Sequence, residues 1–594
     1  MTTHPSFLPL ALAAYFLGCS SLARIIARSL GVDLATCGSG GIGATNLFRA
    51  LKEHSRSTRF SSTGAAFIWD LLKGLLPVLL AQRLSFFPGE TLVVAALVVL
   101  GHTFPLGGKG GKAVATGLGI LLALQPILAL ICLAIFLLGF VPTGIVAVGS
   151  VLAAAVLVVL SPLMMGNLTY ALTGVLLGIA VALLHKKNIL RILRDEEKPL
   201  FHWRLGLRKF PENARHCLFF IHVPGDTAEA CKEAAVNRIW WAKFLPASWI
   251  QRAMPHMPKW MSYMGHSKGI TMLNGQPIIC HSVGVPYEMS AFVDPKHPHY
   301  EVAFGHMLVL TDYFLNLIPE IGVVGQGAGT GITHRNGHDY LRQTRIKHPK
   351  LKVTNGNTFT EVAATLTEAR LQQTVDTNRL RRGEAEVKAV VGAGGSVGRK
   401  VAEQQLRNPD CSELLVVGNP EKENGGLDRF LPDWQAINPE KPVRIVSLNE
   451  ATREASTLFL CTNASGGLAF DPAHCRKRLK IVDVGKPANS PKNLKEILPD
   501  AILVAGGHVK LPGKGMGMGK IIGLFGHVVF ACCAETIIHA TGLTAMWRDA
   551  TEDAYVGSPN PVYAEELRNL AAQLGITVDS FYDPHTDSEI TFTR

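Results

Sequence analysis

Three short polar segments interrupt an otherwise apolar first third of the chain. SGGIGATNLFR (39–49) carries Ser39, Asn46 and Arg49. GHTFPLGGKGGKAVATG (101–117) carries His102, Lys109 and Lys112 among glycines. HKKNILRILRDEEK (185–198) supplies His185, Asn188, Arg191 and Glu197. Glycines let backbone N–H groups approach an oxyanion, and Lys and Arg bring the charge that a phosphate needs. Polar groups at membrane depth are costly and tend to mark sites. Any one segment could be an ordinary re-entrant loop or a set of snorkelling side chains; three in one small region point to an anion site.

Two further stretches could do chemistry. AEVKAVVGAGGSVGRKVAEQQL (385–406) reads as an apolar strand, a turn holding Gly392, Gly394, Gly395 and Gly398, then a helix. A dinucleotide pyrophosphate needs that arrangement: a tight turn, close backbone approach and a helix N-terminus. The second strand, ELLVVGN (413–419), ends in Gly418-Asn419-Pro420-Glu421-Lys422, with no acid at its tip. Lys422 could meet a 2′-phosphate, so NADPH is favoured and NADH stays open. The bland alternative is a nucleotide-like module that binds nothing. In VVFACCAETIIHATG (528–542), Cys532 and Cys533 stand side by side. A buried core helix, half of a metal site and a reactive thiol are all open there. No CxxC or HxxxH spacing lies nearby, and no metal site is expected. GKGMGMGK (513–520) lacks P-loop spacing.

The elements that must position these residues differ between the two parts. Residues 1–200 hold 15 Lys/Arg against 7 Asp/Glu, the rest 43 against 39. Apolar runs at about 6–18, 64–82, 91–104, 113–141, 144–161 and 167–184 give six or seven membrane spans. The basic cluster at 185–198 puts the end of the last span, and all that follows, on the cytoplasmic side. Eleven scattered cysteines fit a reducing compartment. Strands at TLFLCTNAS (457–465) and KIVDVGKPANS (480–490) continue an α/β pattern. The expected fold is therefore a polytopic helical membrane domain of about seven spans, followed by a cytosolic α/β region with a Rossmann-like dinucleotide-binding domain.

SGGIGATNLFR, GHTFP…KGGKAVAT and HxxNIxRxxxxxE, with Asp70 and Lys73-Gly74 between them, resemble the signature segments of the bacterial acyl-phosphate:glycerol 3-phosphate acyltransferases of PlsY type. The match covers nearly all of residues 1–200. It implies seven spans and acyl transfer from acyl phosphate to glycerol 3-phosphate at a cytoplasmic-face site. Carried over by position, Ser39, Arg49, Lys109 and Lys112 would hold phosphates. His185 and Asn188 would bind the glycerol phosphate end, and Glu197 would orient the basic residues; Asn46 and His102 belong to the same substrate-binding segments. Three departures stand out. Gly41 replaces a usual Asn, and the loop after Pro105 is shorter by about two residues. Gly144 and Ala147 occupy places where the family carries an Arg and a Ser.

NGNTFT (355–360), VVGAGGSVG, IVDVGKPAN, AGGHV and FACCAE together resemble the long-chain acyl-[acyl-carrier-protein] reductases that form fatty aldehydes in cyanobacteria, from about Cys217 to Gly542. The resemblance implies a thioester on Cys532 that NADPH reduces to aldehyde; Cys533 reads as packing. His508 and His527 are candidates for favouring the thiolate, by proximity in sequence only. The family's Arg after the second strand is Gly418 here, and its Glu after the AGGHV glycines is Lys510.

The expected division is 1–200 acyltransferase-like, 201–384 first part of the reductase-like region, 385–545 nucleotide-binding and catalytic-cysteine region, and 546–594 an extension showing no chemistry. The expected function is a bacterial inner-membrane lipid-synthesis enzyme with both activities. Its partners would be membrane lipids, acyl phosphate, glycerol 3-phosphate and an acyl carrier protein or acyl-CoA, with no nucleic acid. Two rivals remain: an acyltransferase domain that serves only as an anchor, and a lipid transporter or scaffold with a nucleotide-sensing domain.

Overall fold

The computed structural model describes the chain except residues 1–3, 38–39, 52–53, 107–108, 194–196, 198–199, 201–209, 212, 224–226, 237–242, 257–258, 268–269, 328, 377–381, 463–466, 513–526, 549–554 and 593–594. Ser39 and the GKGMGMGK stretch lie outside the described residues. The chain divides into two units, Met1–Gly206 and Leu207–Arg594.

The first unit is helical. Among the described residues, four helical segments are long and apolar enough to cross a membrane: Phe7–Ser29, Ser57–Arg83, Pro126–Thr143 and Val146–Met164. A fifth candidate, Leu168–Leu184 with Lys186–Ile192, bends by 57° at His185. Pro88–Thr103 and Val114–Leu124 are apolar but shorter. The long 113–141 run is split at Gln125, because Pro126 opens a new helix at its first position and cannot continue the old one. Glu90 fixes another helix start. Its carboxylate accepts the amides of Phe87 (3.0 Å) and His4 (2.7 Å).

Small residues let these helices meet. A Cβ on Gly74 would lie 2.0 Å from the Thr116 carbonyl oxygen, and one on Gly119 would lie 2.1 Å from that of Leu71. Helices 56–83 and 114–124 thus touch backbone to backbone, which replaces the hydrophobic drive that lipid does not supply. Gly18 and Gly101 do the same for helices 7–19 and 88–103.

The second unit contains two mainly parallel sheets. In the first, β1 (Arg215–Ile221) is flanked by β4 (Pro277–Gly284) and β5 (Ile321–Gln326), with β6 (Lys352–Thr354) beyond β5; β2 (Tyr263–His266) and β3 (Ile270–Thr271) run antiparallel to β4. The second sheet holds β7 (Glu386–Val391), β8 (Cys411–Val417), β9 (Val443–Ile445), β10 (Thr457–Leu460), β11 (Lys480–Asp483) and β12 (Ile502–Ala505). Every pairing in it is parallel, and the order is 9-8-7-10-11-12. Numbered from its own first strand, that is 3-2-1-4-5-6, with the order reversing between β7 and β10.

Helix Asn357–Val375 serves both sheets. Its Phe359, Val362 and Ala363 enter the core of the first, and Ala364 and Leu371 enter that of the second. Glu368 pairs with fully buried Lys388 of β7 at 2.8 Å. The C-terminal residues fold back onto this unit through helix Pro561–Leu574, whose Leu567 and Leu574 join the first core.

The close helix crossing is directly testable. Gly74→Ala is expected to lower the thermal stability of the detergent-solubilised protein by about 1–3 kcal/mol, the usual cost of overpacking. Gly64→Ala, in the same helix with nothing within 4 Å of a new Cβ, should be neutral or stabilising by up to about 1 kcal/mol.

Candidate functional sites

In the first unit residues 110–111 return against the end of the helix Pro88–Thr103. Gly111 N–H donates to the His102 carbonyl at 3.0 Å. A Cβ on Gly110 would stand 2.1 Å from Thr103 O, and one on Gly111 2.1 Å from His102 Nε2. Only glycine fits at either place. The turn delivers half-buried Lys112 to Asn188, whose side-chain oxygen accepts the ammonium's hydrogen bond. The other end of the Asn188 amide donates to Glu197 Oε1 at 3.0 Å. The Glu197 carboxylate also meets Arg191 Nε at 3.0 Å and Arg49 Nη2 at 3.7 Å.

One carboxylate thus organises residues from all three polar segments. Burial pulls the Lys112 ammonium down to about 8; Glu197 opposes the shift, while Arg191, Arg49 and Lys109 add to it. Lys109 reaches the neighbourhood of the first segment, where a Cβ on Gly40 would lie 3.6 Å from its Nζ. A cluster of cations around one anion has room for a phosphate's charge.

Other expected residues make contacts of their own. The Asn46 side-chain nitrogen donates to Leu34 O (3.2 Å) and Gly41 O (2.9 Å), shaping the first loop. His185 is buried, and its Nδ1 bonds the Val181 carbonyl at 2.8 Å. A carbonyl only accepts, so Nδ1 carries the proton and Nε2 is left as an acceptor. His102 joins a different cluster. Its Nδ1 is 3.8 Å from Asp70, which pairs with Lys73 at 2.8 Å, while Lys73 donates to Ser20 O at 2.9 Å. Arg191, quoted in its segment without an assigned role, proves to be a direct partner of Glu197. At the two departures, Gly144 has φ +68° at the end of helix 126–143, and Ala147 is buried. An arginine at 144 would be strained in that backbone conformation.

A match to the family model described as glycerol-3-phosphate acyltransferase covers residues 8–195. The glycerol-3-phosphate acyltransferase of Clostridioides difficile is 35% identical over 206 residues, covering 96% of that protein and 33% of this chain. That of Thioalkalivibrio sulfidiphilus is 39% identical over 194 residues, covering 91% of it and 32% of this chain. The chain belongs to the glycerol-3-phosphate acyltransferase family. The crystal structure of PlsY, an integral membrane glycerol 3-phosphate acyltransferase in its glycerol 3-phosphate form, is 32% identical and aligns over 33% of this chain and 95% of its own, with a TM-score of 0.30. Residues 8–195 are thus the acyltransferase domain, and the remaining two-thirds of the chain lies outside that likeness. A quinate dehydrogenase from Corynebacterium glutamicum in complex with NAD aligns with 61% of this chain, all of its own, at 11% identity and a TM-score of 0.27. That likeness is too loose to carry an argument about the second unit.

Beyond the acyltransferase domain, the glycine turn after β7 lies at the point where the strand order reverses. Gly392 has φ +80°, and its N–H donates to Val417 O at 2.8 Å. A Cβ there would be 2.6 Å from Cys461 O at the end of β10, and one on Gly398 would be 2.2 Å from Gly392 O. Gly395 caps helix Ser396–Arg407, and Gly394 faces Leu427. Lys422 is exposed in the turn after β8, where a Cβ on Gly418 would strike Gly425 O at 2.3 Å. The missing acid at this strand tip therefore coincides with a backbone that leaves no room for a side chain.

Cys532 lies in the first turn of helix Ala531–Ala540 and is half-buried, whereas Cys533 is fully buried. A Cβ on Gly356 would be 2.2 Å from Cys532 Cβ. One residue on, Asn357 Nδ2 donates to Ser396 Oγ at 3.3 Å. The turn at 355–357 thus touches the thiol-bearing helix on one side and the glycine turn's helix on the other. Buried Glu535 fixes it by accepting from Thr354 Oγ1 and, at 2.6 Å, from Phe359 N at the start of helix 357–375. Cys533 points into the first core against Cys280; that contact and burial hold its thiol protonated.

His508 Nε2 is 2.9 Å from Asp587, and Asp587 also pairs with Lys486 at 2.6 Å. Burial lowers the His508 pKa despite Asp587. The extension expected to show no chemistry therefore supplies the partner of His508, which pairs across the antiparallel strands His508–Lys510 and Val528–Phe530 with Phe530, two residues before Cys532. His527 places its carbonyl on Leu511 N at 2.8 Å.

The exposure difference predicts a selective reaction. Brief iodoacetamide treatment of the folded protein should label Cys532 and spare Cys533, as read by peptide mass spectrometry. Equal labelling of both would contradict the placement.

Proposed function

We propose that the acyltransferase domain moves a fatty acyl group from acyl phosphate to glycerol 3-phosphate, forming lysophosphatidic acid for phospholipid synthesis. The Glu197-centred cation cluster is the single observation that carries this reading, together with membership of the family. Arg49, Lys109 and Lys112 neutralise the phosphate groups, and Ser39 and Asn46 belong to the same first polar segment as Arg49. Asn188 and the acceptor Nε2 of His185 hold the glycerol end, and His102 supports the turn bearing Lys112. The glycerol hydroxyl oxygen attacks the acyl carbonyl carbon. The ester C–O bond forms, the bond to phosphate breaks, and the departing phosphate takes the hydroxyl proton. No protein nucleophile is required, because the donor is already activated; the protein contributes orientation and charge.

The two shorter apolar helices, counted with Phe7–Ser29, Ser57–Arg83, Pro126–Thr143, Val146–Met164 and Leu168–Leu184, give the seven-span reading. The basic cluster from Lys186 supports a reading in which the second unit lies on the cytoplasmic side of a bacterial inner membrane.

Purified full-length protein given acyl phosphate and labelled glycerol 3-phosphate should form lysophosphatidic acid. No product would favour the anchor reading, which the loss of charge and hydroxyl at Gly144 and Ala147 supports. The charge state of Lys112 adds a pH dependence. An ammonium depressed to about 8 is charged below that pH and neutral above it. kcat/KM for glycerol 3-phosphate should therefore fall as pH rises through about 8. In Lys112→Arg the alkaline limb should disappear, because a guanidinium keeps its charge. A wild-type profile flat up to about pH 10, the ordinary lysine range, would contradict the role.

For the second unit we propose a Rossmann-type dinucleotide site serving acyl reduction at Cys532. The supporting observation is the 355–357 turn shared by Cys532 and the helix that Gly395 caps. The Gly392–Gly398 turn fits a pyrophosphate, and Lys422 fits a 2′-phosphate, favouring NADPH over NADH. The Cys532 thiolate attacks the acyl carbonyl of an acyl carrier protein, acyl-CoA or acyl phosphate donor, and the donor's thiol or phosphate leaves. When bound, the nicotinamide supplies the hydride. The C–S bond then breaks, releasing aldehyde and restoring the thiolate. Within this reading, residues up to 384 are the first part of the reductase and 385–545 its nucleotide and thiol part. Acyl-CoA with NADPH should yield fatty aldehyde, and Cys532→Ser should abolish it while Cys533→Ser does not. NADPH bound but never consumed would favour the nucleotide-sensing scaffold.

A further inference from the structure

The loop leaving β4 brings together three side chains that neither proposed activity uses. Glu288 stands four residues beyond the strand, and His297 and His299 follow the short helix Ser290–Val293. One ligand atom from each lies within 4.8 Å of the other two. His297 Nε2 is 3.3 Å from Glu288 Oε1, and His299 Nδ1 is 4.0 Å from the same oxygen. The Glu288 and His297 side chains are mostly buried, at 15% and 20% exposure, and His299 Nδ1 is itself buried with no hydrogen-bond partner among the described residues.

The surrounding backbone holds the group in place. Val223 N–H donates to Tyr287 O at 3.1 Å, tying the loop to the end of β1. The Tyr300 N–H donates to His297 O at 3.0 Å, where helix Tyr300–Leu317 begins. Loops at strand carboxyl ends are where parallel sheets carry ligands.

We propose that Glu288, His297 and His299 bind one divalent cation of the zinc class. Two imidazoles and one carboxylate form a borderline donor set, which suits Zn2+ or Co2+ and not the all-oxygen preference of Mg2+ or Ca2+. Three protein ligands leave a position open to water. Without a cation, His297 Nδ1 accepts from the His299 amide at 3.2 Å, so Nε2 carries the proton and faces Glu288. Binding through Nε2 shifts that proton to Nδ1 and gives up the local hydrogen bond. The Glu288 carboxylate then meets the cation instead of an N–H.

The test uses the full-length, detergent-solubilised protein, dialysed against chelator and titrated with Co2+ and Zn2+. We expect one equivalent bound at this site, with a visible Co2+ band and no thiolate charge-transfer band. The absence of that band separates the site from the chain's cysteines. Glu288→Gln and His297→Gln, each checked for an unchanged thermal melt, should weaken Zn2+ binding by more than the roughly 10–100-fold that loss of an outer-shell partner costs. His256→Ala, an exposed histidine elsewhere, should change nothing. If a variant does not fold, zinc-dependent protection of the 285–299 segment from proteolysis in the wild type decides the matter. Binding that is absent, or equal in wild type and folded variants, overturns the proposal, as does a segment that zinc leaves unprotected.

Discussion

The site proposed for acyl transfer depends on the charge balance around Glu197. Arg49, Lys112 and Arg191 come from three separate segments, and like charges do not gather so closely without an anion among them. Glu197 meets the two arginines directly and Lys112 through Asn188. The cluster keeps a net positive charge, which a phosphate can complete. Because the same carboxylate supports the charge on Lys112, the loops at 39–49 and 104–113 and the bent helix after His185 are coupled electrostatically.

That coupling was only partly legible in the sequence. The three segments stood out because glycine, lysine, asparagine and arginine interrupt apolar runs, a local signal. Their pairing was not visible, because the partners are far apart in the chain, with Lys112 and Asn188 separated by 76 residues. Gly110 and Gly111 read as phosphate-cradling glycines. The structure gives them a second duty, the close return of the chain against His102. Gly74 stood out only as half of the Lys73-Gly74 pair, and Gly119 not at all; their part in the helix crossing was not readable, since a crossing depends on which faces meet. The run at 113–141 was too long for one span, and the proline that divides it was in plain sight.

In the second unit the glycine turn and the strands around it were legible, because strand–turn–helix punctuation is local. The position of Cys532 beside that turn was not, since it depends on the 355–357 segment and on Glu535 holding that segment down. The two cysteines differ in burial, and the contact behind that difference was not visible in the sequence: Cys533 faces Cys280 in the core between sheet and helix. The role of the C-terminal residues escaped the sequence altogether. Asp587 lies 79 residues from His508, and no motif joins them.

The Glu197-centred cluster is read as a glycerol phosphate site. Calorimetric titration of the detergent-solubilised protein with glycerol 3-phosphate tests it most directly, with glycerol and inorganic phosphate as comparison ligands and Glu197→Ala as the comparison protein. Glycerol 3-phosphate should bind saturably and in a salt-sensitive way, tighter than either fragment and at least about tenfold weaker without the organising carboxylate, a change of about 1.4 kcal/mol. Binding that is absent in the wild type, or unchanged in Glu197→Ala, would contradict it.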